Sequence, residues 1–195
     1  MNVGRYMQQG AVTALPTAPL SAVRDVMEEH GFGLLLVASD DGQLRGFVTR
    51  ASLKGITDWE APVERIVHPA RFAVAPDDTL EKAALILLEN RLVLLPVTTD
   101  GGRLVGVLTQ AEVLRGLAEG LGIGLEGTRL TVRLREGSDD LYRVFDGLHE
   151  YGADLVSFAR GAMDGTHREA ILRVQDVDDR EALRDALEAR LRESE

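Results

Sequence analysis

The chain has 195 residues, 45% of them hydrophobic and 28% charged, the proportions of a folded globular protein long enough for more than one domain. Its 22 basic against 32 acidic residues leave a formal charge of −10, which opposes any partner held by counterion release, so nucleic acid and anionic membrane surfaces are set aside. Cysteine is absent, which removes disulfides, thiolate nucleophiles and Cys-ligated zinc.

No charged leader precedes an apolar core near the N-terminus, and the longest apolar runs, such as Leu34 to Ala38, fall far below the ~20 residues that span a bilayer. A cytoplasmic protein that spans no membrane is the expectation.

In chain order, Thr13 to Leu20 reads as a short extended segment turning into a helix, with Pro19 acceptable in the first turn. Val23, Val26 and Met27 then keep helical spacing up to His30-Gly31. Gly33 to Ala38 fits a buried strand, Ser39 to Gly42 a turn, and Leu44 to Val48 the partner strand, after which Thr49 begins another helix.

The same order returns 60 residues later. Leu34-Leu35-Leu36-Val37 matches Leu94-Leu95-Pro96-Val97, and Gly46-Phe47-Val48-Thr49 matches Gly106-Val107-Leu108-Thr109, with no gap. Phe72 to Val74 is then extended, Leu80 to Asn90 a helix, Leu92 to Val97 and Arg103 to Leu108 a hairpin, and Gln110 to Glu119 the closing helix. Each copy is β-α-β-β-α and too small to bury its apolar face well alone, so the two pack together with a cleft between them. The copies are expected at 1–60 and 61–120.

Residues 121–128 contain Gly122-x-Gly124-x-x-Gly127, the letters of a dinucleotide fingerprint. That fingerprint works after a strand and before a helix; here the order is reversed, and a glycine-rich linker is the expectation. From 129 to 195 a second unit follows. Arg129 to Arg135 reads as a strand, Asp139 to Tyr151 as an amphipathic helix stopped by Gly152, and Asp154 to Arg160 with Arg168 to Gln175 as a hairpin. Asp178 or Asp179 caps a last helix reaching about Leu191, which makes an α+β sandwich of ferredoxin type lacking its last strand.

The two strand-to-helix junctions hold the strongest chemical signal. Thr49 and Thr109 each place a hydroxyl at a helix N-terminus, where free N–H groups and the macrodipole favour an anion such as phosphate. The third residue onward, Ser52 or Glu112, shares that first turn, where a carboxylate would accept hydrogen bonds from a ribose diol. Thr109-x-x-Glu112 is equally a capping box that satisfies its own backbone, and the pattern alone leaves both readings open.

With those junctions, Thr17-Ala18-Pro19-Leu20, Asp77-Asp78-Thr79-Leu80 and Leu95-Pro96-Val97 resemble the CBS domain family, and residues 1 to 120 resemble its tandem, or Bateman, arrangement. The resemblance implies an adenosine compound, AMP, ADP, ATP or S-adenosylmethionine, in the cleft between copies. Family members end the junction in Asp; here Ser52 and Glu112 stand there, and Glu112 keeps the charge on a longer arm. The resemblance therefore favours a site around Thr109, Gln110 and Glu112, with Thr49, Arg50 and Ser52 as its altered counterpart. Adenine would lie near Ala73, Val74, Leu95 and Pro96, and phosphate would meet Arg5, Arg65, His68 or Arg71.

Residues 128 to 192 resemble an ACT domain through the β-α-β-β-α order and Tyr151-Gly152-Ala153-Asp154-Leu155-Val156-Ser157-Phe158, with Arg135 to Leu141 replacing the usual ligand loop. The order CBS, CBS, ACT resembles the proteins of bacterial acetoin-utilisation operons. It implies a non-enzymatic regulatory sensor of acetoin or related carbon metabolism, homodimeric through its CBS or ACT domains. The alternative is a ligand-free dimeric scaffold that recruits a partner enzyme.

Catalytic readings have little behind them. His30, His68, His149 and His167 never fall at metal-site spacing, and no metal is expected. The acid pairs Asp77-Asp78, Asp139-Asp140 and Asp178-Asp179 all precede helices, where capping explains them, and Ser157 lacks a nucleophile elbow.

Overall fold

In the computed structural model, which describes residues 1–192, the chain divides into two compact units with the boundary between Gly116 and Leu117. The architecture is α+β. The first unit runs α1 (Val3–Tyr6), β1 (Thr13–Ala14), α2 (Leu20–Glu29), β2 (Leu34–Ala38), β3 (Leu44–Thr49), a 3-10 helix (Val63–Ile66), α3 (Leu80–Glu89), β4 (Leu94–Thr98) and β5 (Leu104–Thr109), then α4 (Gln110–Gly120).

Helical spacing decides what these helices bury: Leu20, Val23 and Met27 of α2 and Leu80, Ala83 and Leu87 of α3 all lie in the core. Thr79 caps α3 by accepting from the Lys82 N–H at 3.2 Å. The hairpins repeat to the residue. Leu34 faces Thr49 and Val37 faces Gly46 in one, Leu94 faces Thr109 and Val97 faces Gly106 in the other, and both ladders shift register one residue later.

The copies diverge in two places. The helix expected after Thr49 is not formed: residues 50–55 make turns, with Ser52 N–H bonded to Thr49 O and Lys54 N–H to Ala51 O. Gly55 ends them at φ 79°, and Ile56 and Trp59 fold back onto the core of the first copy instead of continuing a helix. Val74 makes a single parallel bridge to Val97, where the first copy has the two-residue strand β1 beside β2.

Each copy's opening segment packs on the other copy. The Val3 and Gly4 N–H groups bond Asp78 O and Pro76 O, while the Val63 and Glu64 N–H groups bond Ala18 O and Pro16 O. Gln8 pairs with Val107, and His68 with Phe47, through two backbone bonds each. These crossings explain the glycine of both Gly-x-x-Thr strand ends. A Cβ on Gly46 would lie 2.1 Å from His68 O, and one on Gly106 would lie 2.6 Å from Gln8 O.

The second unit runs β6 (Thr128–Arg135), α5 (Asp140–Tyr151), β7 (Asp154–Asp164), β8 (His167–Gln175) and α6 (Arg180–Arg192). Its sheet order is β6-β8-β7, both pairs antiparallel, which is the split β-α-β arrangement of ferredoxin-like folds. Leu130, Val132 and Leu134 meet Val144, Leu148, Leu183 and Leu187 in the core. Asp179 caps α6 by accepting from the Glu181 and Ala182 N–H groups. The glycine-rich stretch before β6 is bonded to this sheet: Ser157 Oγ donates to Leu121 O, Arg173 to Leu125 O and Gln175 to Glu126 O. No helix among the described residues is long and apolar enough to cross a membrane.

Candidate functional site

Both junctions build the same three-residue motif from the strand end, the turn after it and the crossing segment. In the second copy the Thr109 N–H donates to Glu112 Oε2 at 3.1 Å and the Ala111 N–H to Thr109 Oγ1 at 3.2 Å, a capping box closed on itself. Thr109 Oγ1 also donates to Glu112 Oε2, and Gln8 Nε2 donates to Glu112 Oε1 at 2.8 Å. Glu112 is only 5% exposed. Burial pushes its carboxyl up, but the hydrogen bonds from Thr109 and Gln8 outweigh burial and hold it below the usual glutamate range.

In the first copy Thr49 and Ser52 exchange bonds in the same way: the Ser52 N–H donates to Thr49 Oγ1 at 3.2 Å, and the two hydroxyls are 2.9 Å apart. Ser52 Oγ then meets His68 Nε2 at 3.1 Å, and the His68 ring tilts against Phe47 with centroids 5.8 Å apart. His68 thus occupies the place that Gln8 takes in the other motif.

A cavity of about 550 Å³ opens on the first motif, within the size range of small-molecule sites. Its apolar lining includes Leu34, Leu36, Phe47, Phe72, Leu94 and Pro96, and its polar lining includes Thr49, His68, Arg71 and Arg91. Neither the Arg71 nor the Arg91 side chain makes a hydrogen bond or ion pair with a described residue, so two cations stand uncompensated beside an apolar wall. Arg91 is also held at φ 54°, at the position where the first copy has Gly31 at φ 68°. A left-handed non-glycine residue costs about 1 kcal/mol or more.

Of the residues expected to bind a ligand, Thr49, His68, Arg71 and Pro96 share this cavity. Thr109 and Glu112 do not line it. Arg50 and Gln110 are structural twins that donate to Phe32 O and Leu92 O, latching the loops before β2 and β4. Val74 and Leu95 are buried in the core and Ala73 is exposed outside the cavity. Arg5 lies over the Tyr6 ring, and Arg65 sits 3.9 Å from Asp58. Sequence reading passed over Arg91, Phe47 and Gln8. Arg91 had a signal, since it follows a helix where the repeat places glycine.

In the second unit the loop after β6 is closed by its own bonds. Asp140, 3% exposed, accepts from the Arg135 backbone and side chain, and Glu136 accepts from Arg160 and Arg168. Among the described residues no group of three His, Cys, Asp or Glu side chains is placed to hold a metal ion.

The CBS domain family matches residues 3–55 and 63–119. The osmoprotectant import ATP-binding protein OsmV of Salmonella typhimurium is 28% identical over 131 residues, 67% of this chain and 32% of that protein, so the chain spans about a third of OsmV's length. A CBS domain pair/ACT domain protein from Thermotoga maritima is similar in structure, with a TM-score of 0.57 and 26% identity over 62% of this chain and 99% of that one. CBSX2, solved in complex with AMP, has a TM-score of 0.54 and 25% identity over 60% of this chain and 96% of that one.

Proposed function

The chain belongs to the CBS domain family, with a tandem pair followed by an ACT-like α+β unit, and from that premise we propose that it is a non-enzymatic sensor of an adenosine-type nucleotide. The ligand is AMP, ADP or ATP, and it enters the cavity at Thr49 rather than the self-bonded motif at Glu112. One observation carries this reading: Arg71 and Arg91, whose side chains have no partner among the described residues, line one cavity with an apolar wall suited to a flat base. Charge-assisted bonds from arginine to phosphate are the strong class of hydrogen bond, and the left-handed backbone of Arg91 is the kind of strain that accompanies a functional position. The AMP complex of CBSX2 supports the choice of ligand class.

Isothermal titration of the full chain with AMP, ADP, ATP and S-adenosylmethionine tests it. Saturable binding that tightens with phosphate count is expected, and Arg91→Gly should weaken ATP by about tenfold, the loss of one charge-assisted bond. S-adenosylmethionine has no phosphate and should be nearly indifferent to that change. No saturation by any of the four at about millimolar concentration, the weak limit of a specific site, would sink the proposal.

A ligand-free scaffold is the second reading. It is favoured by the commitment of Ser52 and Glu112 to bonds inside the protein, which leaves no free carboxylate at either junction.

A further inference from the structure

The sheet of the second unit has two free edges, and they differ. β7 is broken by register shifts at Leu155/Ser157 and Arg160/Met163, and such irregularity blunts an edge against pairing. β6 pairs with β8 from Thr128 to Arg135 without any shift. It is therefore a straight edge of eight residues, roughly 25 Å long. The Arg135 N–H turns away from β8 to bond Asp140, while the Glu136 N–H bonds Thr166 O on the hairpin side. By the two-residue alternation of an antiparallel ladder, the Thr131 and Arg133 amides face the open side as well.

Beside this edge lies a groove between β6 and α6, formed by two cavities of about 290 and 380 Å³ that share Thr131, Val132 and Arg184. Six arginines and three carboxylates line it, and Arg133, Arg135, Arg184 and Arg192 are ion-paired to Asp164, Asp140 and Glu188, which leaves Arg129 and Arg180 without an ion pair among the described residues. At one end Arg129 bonds only Thr131 Oγ1, and Arg180 has no partner among the described residues.

We propose that the β6 edge and the α6 groove receive an extended segment of a partner protein in which acidic and apolar residues alternate, completing the sheet as its fourth strand. The backbone edge supplies main-chain pairing, and Arg129 and Arg180 select the acidic side chains. A second copy of this chain is the wrong occupant. Pairing β6 with itself sets Arg129, Arg133 and Arg135 of one strand against the same arginine-rich face of the other, and like charges across strands are destabilising.

The test uses the full chain and a labelled ten-residue peptide alternating glutamate and valine, read by fluorescence anisotropy, with a lysine-valine peptide as control. The acidic peptide should bind, and hydrogen exchange at Thr131 and Arg133 should slow in its presence. Combined Arg129→Glu and Arg180→Glu should weaken it at least tenfold. Thr131→Pro, tolerated at an edge whose amide has no partner, should abolish binding with circular dichroism unchanged. Equal binding of the lysine peptide, or binding by neither, overturns the proposal. So does a dimer in sedimentation that Thr131→Pro dissociates, since a second copy would then hold the edge. None of these readouts depends on nucleotide.

Discussion

The two junction motifs share a strand end, but a helix forms only after Thr109, and the side chains differ at two positions, Ser52 against Glu112 and His68 against Gln8. Glu112 with Gln8 makes a self-contained cluster, whereas Ser52 with His68 leaves a weaker hydroxyl chain beside an open cavity. A buried carboxylate requires several donors, and Thr109 with Gln8 supplies them, so the more family-like acid is the one committed to structure. Where serine replaces it, less is demanded of the surroundings. Arg71 and Arg91, whose side chains have no hydrogen bond or ion pair among the described residues, lie on that side.

The largest expected effect tests the strand end both motifs share. Gly46→Ala should cost about 3 kcal/mol, because the new Cβ meets His68 O and the φ of 148° disfavours any side chain. Gly106→Ala should cost less, about 1–2 kcal/mol, since its contact is 2.6 Å rather than 2.1 Å. Urea denaturation gives both values, and the reverse order would break the match between crossings.

Next comes the acid itself. Glu112→Ala should destabilise by about 2–3 kcal/mol by stripping partners from Thr109 and Gln8, against about 1 kcal/mol for Ser52→Ala. Equal losses in thermal unfolding would erase the distinction between a committed and a loosely held junction.

A smaller effect follows from protonation. The Glu112 carboxyl is depressed in the folded state, so its contribution is fully present above the ordinary value of 4.5 and is lost as pH falls through the folded value. The advantage of the wild-type chain over Glu112→Gln should therefore shrink below about pH 4.5 in denaturation curves. A gap that widens on acidification would show that the carboxylate is not stabilised as drawn.

The smallest effect has the opposite sign. Arg91→Gly should raise stability by about 0.5–1 kcal/mol by relieving the left-handed backbone, while weakening nucleotide binding. Stability lost together with binding would make Arg91 a structural residue.

Much of the fold was legible in the sequence. The offset of 60 residues gave both hairpins, and the structure adds that their registers match residue for residue. The second unit's helices were bounded in the sequence by the Gly152 stop and the Asp179 cap. The missing helix after Thr49 was not legible: the repeat itself argues for one, and only the packing of Ile56 and Trp59 onto the core overrides it.

The candidate site divides in the same way. Local sequence determined the two Thr-led junctions, since caps and turns depend on neighbours three or four residues apart. It could not decide which junction faces a cavity. Gln8 lies 104 residues from Glu112 and His68 lies 16 from Ser52, and each reaches its junction because one copy's opening segment crosses onto the other. Packing of distant segments, rather than local pattern, sets which polar groups are satisfied inside the protein and which junction opens on the cavity lined by Arg71 and Arg91.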